Sequence, residues 1–536
     1  MVVSNHSLFA ILQGASFLTV LVQANHVDRT GFISIDCGIS DVSIYIDEET
    51  GITYLSDTNF TDYGENREIS ASYKEEINEQ QFWNVRSFPE GTRNCYTLSP
   101  LEGKDTRYLI RARFMYGNYD KRRQEPKFEL HIGVDLWDTV IIESADAVIN
   151  KEIIHVPSSD DIHICLVNTG FGIPFISVLE LRPLASDIYV ADAGSLLLKG
   201  RYDFGSATNK VIRYRDDVYD RLWSPLETDK WTPTNTSLGV NNISDSGYGL
   251  PLTVMSTAYT RNNSIRYMGI WWTLDRNLRY FFYLHFAELV KLQMNESREF
   301  NIYMNGDLWY DIPLIPTYLV ADTLCGTKGS KPDHEGKIEI WFNATENSTL
   351  PPLVNALEYY ALQKNSRQET YEKDANAIRN IKLEHELKFR NWQGDPCSPQ
   401  AYLWDGLNCS YSDNNPPRII SLNLSSSGLK GEISPYIADK TMLQYLDLSN
   451  NSLTGTVPEF LAQLSFLRVL NIKENNLSGP IPPALLERSK NGLSLSADAN
   501  VIGNETSSSP GYSRGKNKFV VPLVALVRGI SLHFVS

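Results

Sequence analysis

Apolar positions near the C-terminus recur with a period of 24 residues. Leu422-Asn423-Leu424, Leu446-Asp447-Leu448 and Leu470-Asn471-Ile472 carry the phrase, followed in phase by Leu429, Leu453 and Leu477 and then by Ile433, Val457 and Ile481. Gly431, Gly455 and Gly479 keep the same phase, and Pro458 and Pro482 close the second and third copies. Each copy predicts a short strand and a return segment, and none can bury its apolar side without a neighbour. Residues 419–490 therefore read as a three-unit solenoid. Arrays of this kind present a surface to a partner and rarely carry catalysis.

Between residues 30 and 360 the pattern changes to strand-length runs separated by turn formers. Tyr108-Leu-Ile-Arg-Ala-Arg-Phe114 and Tyr280-Phe-Phe-Tyr-Leu-His-Phe286 have strand composition. Tyr108, Phe114, Phe128 and Trp137 recur as Tyr280, Phe286, Phe300 and Trp309 at an offset of 172, and Val178-Leu-Glu-Leu181 recurs as Ala356-Leu-Glu-Tyr359 at an offset of 178. The recurrence predicts two homologous β-sandwiches in tandem, over 25–185 and 186–362, with the matched aromatics in their cores.

Residues 363–391 read as a helical connector. On a helical wheel Ala377, Ile378, Ile381 and Phe389 share one face, and Leu383 and Leu387 pair on the other. The connector leads into residues 392–418, where Cys397 and Cys409 bracket 11 residues just before the first repeat. A solenoid must cover the open end of its core, so this segment is expected to be a disulfide-stapled cap, the bridge contributing about 3 kcal/mol. For Cys37, Cys95, Cys165 and Cys325 three pairings stay open. Residues 491–518 read as a flexible linker and 519–536 as an apolar tail. Phe519–Val527 is apolar for nine residues before Arg528. A span needs about 20, so the tail reads as the start of one whose remainder is missing.

Compartment follows from the N-terminus and the surface. Leu8 to Val22 is apolar and ends in Val22-Gln23-Ala24, which predicts a signal peptide over 1–24. Asn59, Asn235, Asn242, Asn262, Asn295, Asn343, Asn347, Asn408, Asn423, Asn450, Asn476 and Asn504 all fit the N-glycosylation pattern. With an even number of cysteines, six, they place the chain in the secretory pathway, bound for the extracellular space or the outer face of the plasma membrane. The net charge of −15, with no Lys/Arg-rich stripe, argues against nucleic acid as a partner.

No catalytic, metal or cofactor site is expected. His385-Glu386-Leu-Lys-Phe389 has Phe where a zinc helix needs its second His, and Gly326–Lys331 is too short for a phosphate loop. Asp216-Asp217 reads as part of an Arg-rich segment whose ion pairs fix a turn rather than as a glycosidase pair.

Three further marks carry a family resemblance: Ile35-Asp36-Cys37-Gly38, the segment Arg213-Tyr-Arg-Asp-Asp-Val-Tyr-Asp-Arg-Leu-Trp223, and Gly394-Asp395-Pro396-Cys397. With the domain order they make residues 25 to about 517 resemble the ectodomain of plant malectin-like leucine-rich-repeat receptor kinases. The resemblance implies a mainly β fold of tandem malectin-like β-sandwich domains followed by a short leucine-rich-repeat solenoid. It further implies a non-enzymatic module that binds an extracellular carbohydrate or peptide ligand and a co-receptor ectodomain. The family's kinase signatures are absent from the chain, which therefore looks like a truncated or alternatively spliced form or a fragmentary gene model, membrane-associated only if its tail is completed in another form. A secreted lectin for cell-wall oligosaccharides is the second reading.

Two sets of residues are candidates for contact. Out-facing strand positions Ser421, Asn423, Ser425, Tyr445, Asp447, Ser449, Val469, Asn471 and Lys473 line the expected partner face, and Tyr445, Asp447, Val469, Asn471 and Lys473 are its candidate contacts. A glycan on Asn423 would obstruct that face, which directs a partner to one edge. The loop Tyr116-Gly-Asn118-Tyr119-Asp120, and the stretch Tyr54 to Tyr63, mix aromatic and polar groups as sugar sites do.

Overall fold

The computed structural model describes residues 31–502 except 41–42, 78, 192–193, 241–246, 327, 365, 390 and 441. The expected signal peptide, Asn242, Asn504 and the apolar tail lie outside the described residues. The first sandwich sets Ile33–Asp36, Val178–Pro183, Tyr108–Met115 and Val148–His155 side by side. The second sets Ser195–Phe204, Ala356–Gln363, Tyr280–Phe286 and Asp322–Cys325 in the same order, as the internal repeat predicts. The two edges then pair, Ile153 opposite Leu197 and Ile154 opposite Leu196. One continuous sheet therefore runs through both sandwiches.

A separate four-stranded sheet covers each half. Arg93–Leu98, Ile162–Phe171, Lys127–Ile132 and Asp135–Ile141 cover the first. Tyr267–Thr273, Lys337–Ala344, Phe300–Met304 and Asp307–Leu308 cover the second. Tyr108, Phe114, Phe128 and Trp137 are buried, as are Tyr280, Phe286 and Phe300, while Trp309 packs at the margin of the core. Tyr108–Met115 is buried at every position, because its second face is covered as well as its first.

Cys95 and Cys165 sit opposite each other on paired strands and are bridged, while Cys37 and Cys325 are free thiols. This bridge closes a sequence separation of 70, against 12 for the bridge between Cys397 and Cys409. Replacing Cys95 and Cys165 by serine is expected to cost about 4 kcal/mol, and replacing the other pair about 3 kcal/mol. Urea titration of the two variants side by side checks that order.

The connector forms an α-helix over Glu372–Glu384 with Ala377, Ile378 and Ile381 buried. It ends before Leu387, so the expected pairing of Leu383 with Leu387 does not form: Leu383 is exposed, and Leu387 is buried after the chain has left the helix. In the cap Trp392 stacks on Trp404 with ring centres 4.9 Å apart. The repeat strands run parallel, Leu422 beside Leu446 beside Leu470, with all three leucines buried. The array continues past 490: Ser494–Ser496 adds a fourth strand, Leu495 beside Leu470, and the helix Ala499–Ile502 follows. That step is 25 residues rather than 24, which hides the fourth strand from a search at fixed period.

The connector and cap dock on the first sandwich. Gln393 Oε1 accepts from the Cys95 amide at 2.8 Å, Arg379 pairs with Asp161 at 2.6 Å, and Lys382 pairs with Asp62 at 2.9 Å. No helix among the described residues is long and apolar enough to cross a membrane.

Candidate ligand-binding cleft and repeat face

Where the two sandwiches meet, the segment Arg213–Trp223 packs against both and buries a layer of ion pairs. Arg213 Nη2 donates to Asp220 at 2.8 Å and to Glu180 at 3.0 Å, while Arg182 Nε donates to Asp220 at 2.9 Å. Arg111 reaches Glu180 at 2.8 Å and Glu152 at 2.9 Å. Arg201 then links Glu152 at 2.7 Å to Glu358 at 2.6 Å. Glu180 and Glu358 are the glutamates of the repeated Val178–Leu181 and Ala356–Tyr359 phrases, so each sandwich contributes its equivalent acid. Burial works against the charge on Asp220, but Arg213, Arg182 and Arg111 outweigh it and hold the carboxyl well below its usual range. Asp217 belongs to the same device, accepting from Arg221 Nε at 2.8 Å and Trp223 Nε1 at 2.7 Å. Asp216 is exposed instead, so the two adjacent carboxylates occupy different environments.

Beside this buried layer lies a cleft of about 1280 Å³ with walls from both sandwiches. One wall is the hairpin strand Ile44–Ile46 with its Asp47–Gly51 turn, and the short turn Gln80–Phe82 followed by Trp83. The other includes residues of the 208–216 stretch. Arg113 forms the floor: its guanidinium lies 4.5 Å from the Phe82 ring and donates to Glu79 at 2.7 Å and to Asn150 at 2.8 Å. Asp47 accepts from the Thr50 amide at 2.8 Å and from Gln81 Nε2 at 2.9 Å. Partial burial raises the Asp47 pKa, yet these Thr50 and Gln81 bonds prevail and keep it low. Arg215 Nε, from the opposite wall, donates to Thr50 O at 3.0 Å and ties the walls together. Tyr45 and Trp83 are half-buried in the cleft, and Ile46 and Val211 stand exposed at its rims. A pre-ordered floor of charged donors and acceptors beside aromatic walls suits an extended ligand with both hydroxyl or amide groups and apolar faces.

Residues 35–362 match the Malectin-like domain family, and 442–464 and 466–487 match the Leucine Rich Repeat family. The chain belongs to the malectin-like family. A putative leucine-rich repeat receptor-like serine/threonine-protein kinase of Arabidopsis thaliana is 46% identical over 530 residues, covering 98% of this chain and 60% of the relative. A probable LRR receptor-like serine/threonine-protein kinase of the same plant is 45% identical over 444 residues, covering 82% of this chain and 50% of the relative. The chain thus spans half to three-fifths of the length of these relatives. Among solved structures, the ANX1 ectodomain of Arabidopsis thaliana superposes with a TM-score of 0.51 at 16% identity, over 62% of this chain and 96% of that one. The ANX2 ectodomain superposes with a TM-score of 0.50, also at 16% identity, over 62% of this chain and 97% of that one. They share the fold of the malectin-like pair.

The loop expected to touch sugar is not presented as one. Tyr116 and Tyr119 are buried, packed on each other and on Phe175, and the Tyr116 hydroxyl donates to Asp120 at 2.5 Å. Asn118 Oδ1 accepts from the Arg123 amide at 3.0 Å, closing the turn. The aromatic-polar mixture here builds a loop, and neither buried tyrosine offers a ring face for stacking on a pyranose. Tyr54 is likewise buried, donating to Glu180 at 2.7 Å. The cleft residues Asp47, Trp83, Arg113 and Asn150 escaped the sequence reading because four separate segments deliver them. The Arg-rich 213–223 segment was the one local signal, and it marks the site's foundation.

On the repeats of this malectin-like chain, Tyr445, Asp447, Val469, Asn471 and Lys473 come together on and just after two adjacent strands. Asp447 is the hub: it accepts from Ser449 Oγ at 2.6 Å, Tyr445 Oη at 3.0 Å and Asn471 Nδ2 at 3.2 Å. Its carboxylate is therefore buried and engaged, orienting its neighbours, while Lys473 is exposed and Tyr445, Val469 and Asn471 are half-exposed. Behind the strands Asn451 and Asn475 donate to backbone carbonyls of successive units, including Leu424 O at 2.8 Å and Leu448 O at 2.9 Å. Of the twelve sequon asparagines named above, the ten other than Asn242 and Asn504 are described, and all ten are exposed.

Proposed function

We propose that the chain is an extracellular recognition module without catalysis of its own. It takes an extended carbohydrate or peptide ligand in the inter-sandwich cleft and offers its repeat face to a second ectodomain. The observation that carries this reading is the cleft itself, whose floor is fixed by Arg113, Glu79 and Asn150 and whose walls are tied across by Arg215 and Thr50. Preorganisation of that kind lowers the ordering cost of binding.

The test is titration of the secreted full chain with cell-wall oligosaccharides and with synthetic peptides, followed by Trp83→Ala and Asn150→Ala. Saturable binding that weakens at least about tenfold in both variants, roughly 1.4 kcal/mol or more, supports the cleft. Absence of binding by either ligand class, or affinity unchanged in both variants, overturns it. For the repeat face, Val469→Glu is expected to abolish capture of a partner ectodomain without changing ligand affinity in the cleft.

A further inference from the structure

The sheet that covers the second sandwich carries an aromatic surface outside the cleft. Tyr267 and Trp271 are 54% and 62% exposed. Trp341, on the adjoining strand, is half-buried, and its ring lies so close over Gly269 that a Cβ there would come within 2.5 Å of it. One ring face is thus held against the backbone, and Tyr267 packs beside the ring at 6.0 Å between centres. Strand register puts Asn343 directly opposite Tyr267 on one side and Asn301 on the other. Side chains alternate along a strand, so Asn343 and Trp341, two residues apart, project from this same outer face.

Asn343 is also an exposed sequon asparagine, followed by Ala344 and Thr345. The other nine described sequons have no aromatic residue two positions before the asparagine: Asp57, Pro233, Thr260, Gln293, Thr345, Gly406, Ser421, Leu448 and Glu474 stand there. Along a strand that spacing is about 6.6 Å, within reach of the first sugar ring on the asparagine amide. An N-acetylglucosamine presents polarised C–H groups on one face, and an indole presents its electron-rich face to them.

We infer that an N-linked glycan on Asn343 lies across Trp341 and Tyr267 and is a structural part of the second sandwich, so that this aromatic surface is occupied by the chain's own sugar. The cost of leaving large rings in water is then reduced by the modification. The surface is accordingly closed to an outside glycan or protein while the first sugar is in place.

The experiment is a double-mutant cycle on the secreted full chain, produced with high-mannose glycans and with site occupancy read by glycopeptide mapping. Asn343→Gln is expected to lower Tm by about 2–4 °C, whereas Asn347→Gln, four residues along the chain, leaves it unchanged. Trimming every glycan to its first N-acetylglucosamine with endoglycosidase H is expected to leave Tm where it was, because that residue makes the contact. In a Trp341→Ala background the Asn343→Gln change is expected to lose its effect. Should Trp341→Ala fail to be secreted, Trp341→Leu keeps much of the apolar volume and removes the ring face. An unmodified Asn343, equal effects at Asn343 and Asn347, or a full Asn343→Gln effect without the indole each overturns the inference. Saturable protection of these rings by an added oligosaccharide or protein on the fully glycosylated chain overturns it too.

Discussion

Replacing Asp220 with alanine is expected to destabilise the sandwich pair by about 3–5 kcal/mol, the cost of breaking a buried ion pair from one side. Six guanidiniums, those of Arg111, Arg113, Arg182, Arg201, Arg213 and Arg221, meet six carboxylates, those of Glu79, Glu152, Glu180, Asp217, Asp220 and Glu358. Asp220 alone serves three of those arginines, and all of its surface is buried. Without it, Arg111, Arg182 and Arg213 share Glu180, and the guanidiniums of Arg111 and Arg182, which are fully buried, are left undercompensated. Denaturant unfolding of the secreted protein measures the loss, with Asp216→Ala, exposed and four residues away, as a control expected to stay within about 0.5 kcal/mol. A second change, Arg213→Met, restores the balance of charges and is expected to recover part of the loss. Equal stabilities for Asp220→Ala and Asp216→Ala would show that the layer does not hold the two halves together.

Much of this architecture is legible in the sequence because it repeats. Leucines at a period of 24 report the solenoid, since each unit must bury the same side chains. Aromatics at an offset of 172 report the two sandwiches, since both cores fill the same space. What joins the halves is repeated only in Glu180 and Glu358, and the rest left no such trace. The edge pairing of Ile154 with Leu196 uses residues that would suit any strand. Arg111 and Asp220, 109 residues apart, are brought together only by the folded sheet. The Arg213–Trp223 segment announces its charge but not its partners, and its role proved larger than a turn. Tyr116, Tyr119 and Asp120 misled for a related reason: aromatic and polar residues in a loop look alike whether the rings face water or Phe175. Burial decides between those cases, and a local pattern does not report it.

The junction between the first sandwich and the connector is expected to weaken in acid through His163. Its ring is buried, with Nδ1 at 3.1 Å from Thr97 Oγ1 and Nε2 at 3.4 Å from Arg379 Nη1. Loss of solvation disfavours the imidazolium, and Arg379, Arg93 and Lys382 add repulsion, so the pKa falls from 6.5 to about 3. The folded protein therefore keeps His163 neutral where the unfolded chain takes up a proton. The stabilisation this represents is fully present above pH 6.5 and is lost as pH falls toward about 3. Asp161 pairs with Arg379 and offsets part of that arginine's charge without reversing the balance. At pH 4.5, two units below the unfolded value, the loss amounts to about 2.7 kcal/mol. Asp36 works in the opposite sense, because burial pushes its carboxyl up to about 8 and folding then favours the protonated form as pH falls. The whole pH profile mixes these with other shifted groups, among them His155, which burial pushes down to about 4, and the difference between wild type and His163→Gln isolates the histidine, since glutamine keeps a donor and an acceptor but does not titrate. That difference is expected to shift by about 2.7 kcal/mol in favour of the variant between pH 7 and pH 4.5. Parallel profiles for the two proteins would mean that the imidazole gains its proton without disturbing the junction, and that His163 does not set the acid sensitivity of this contact.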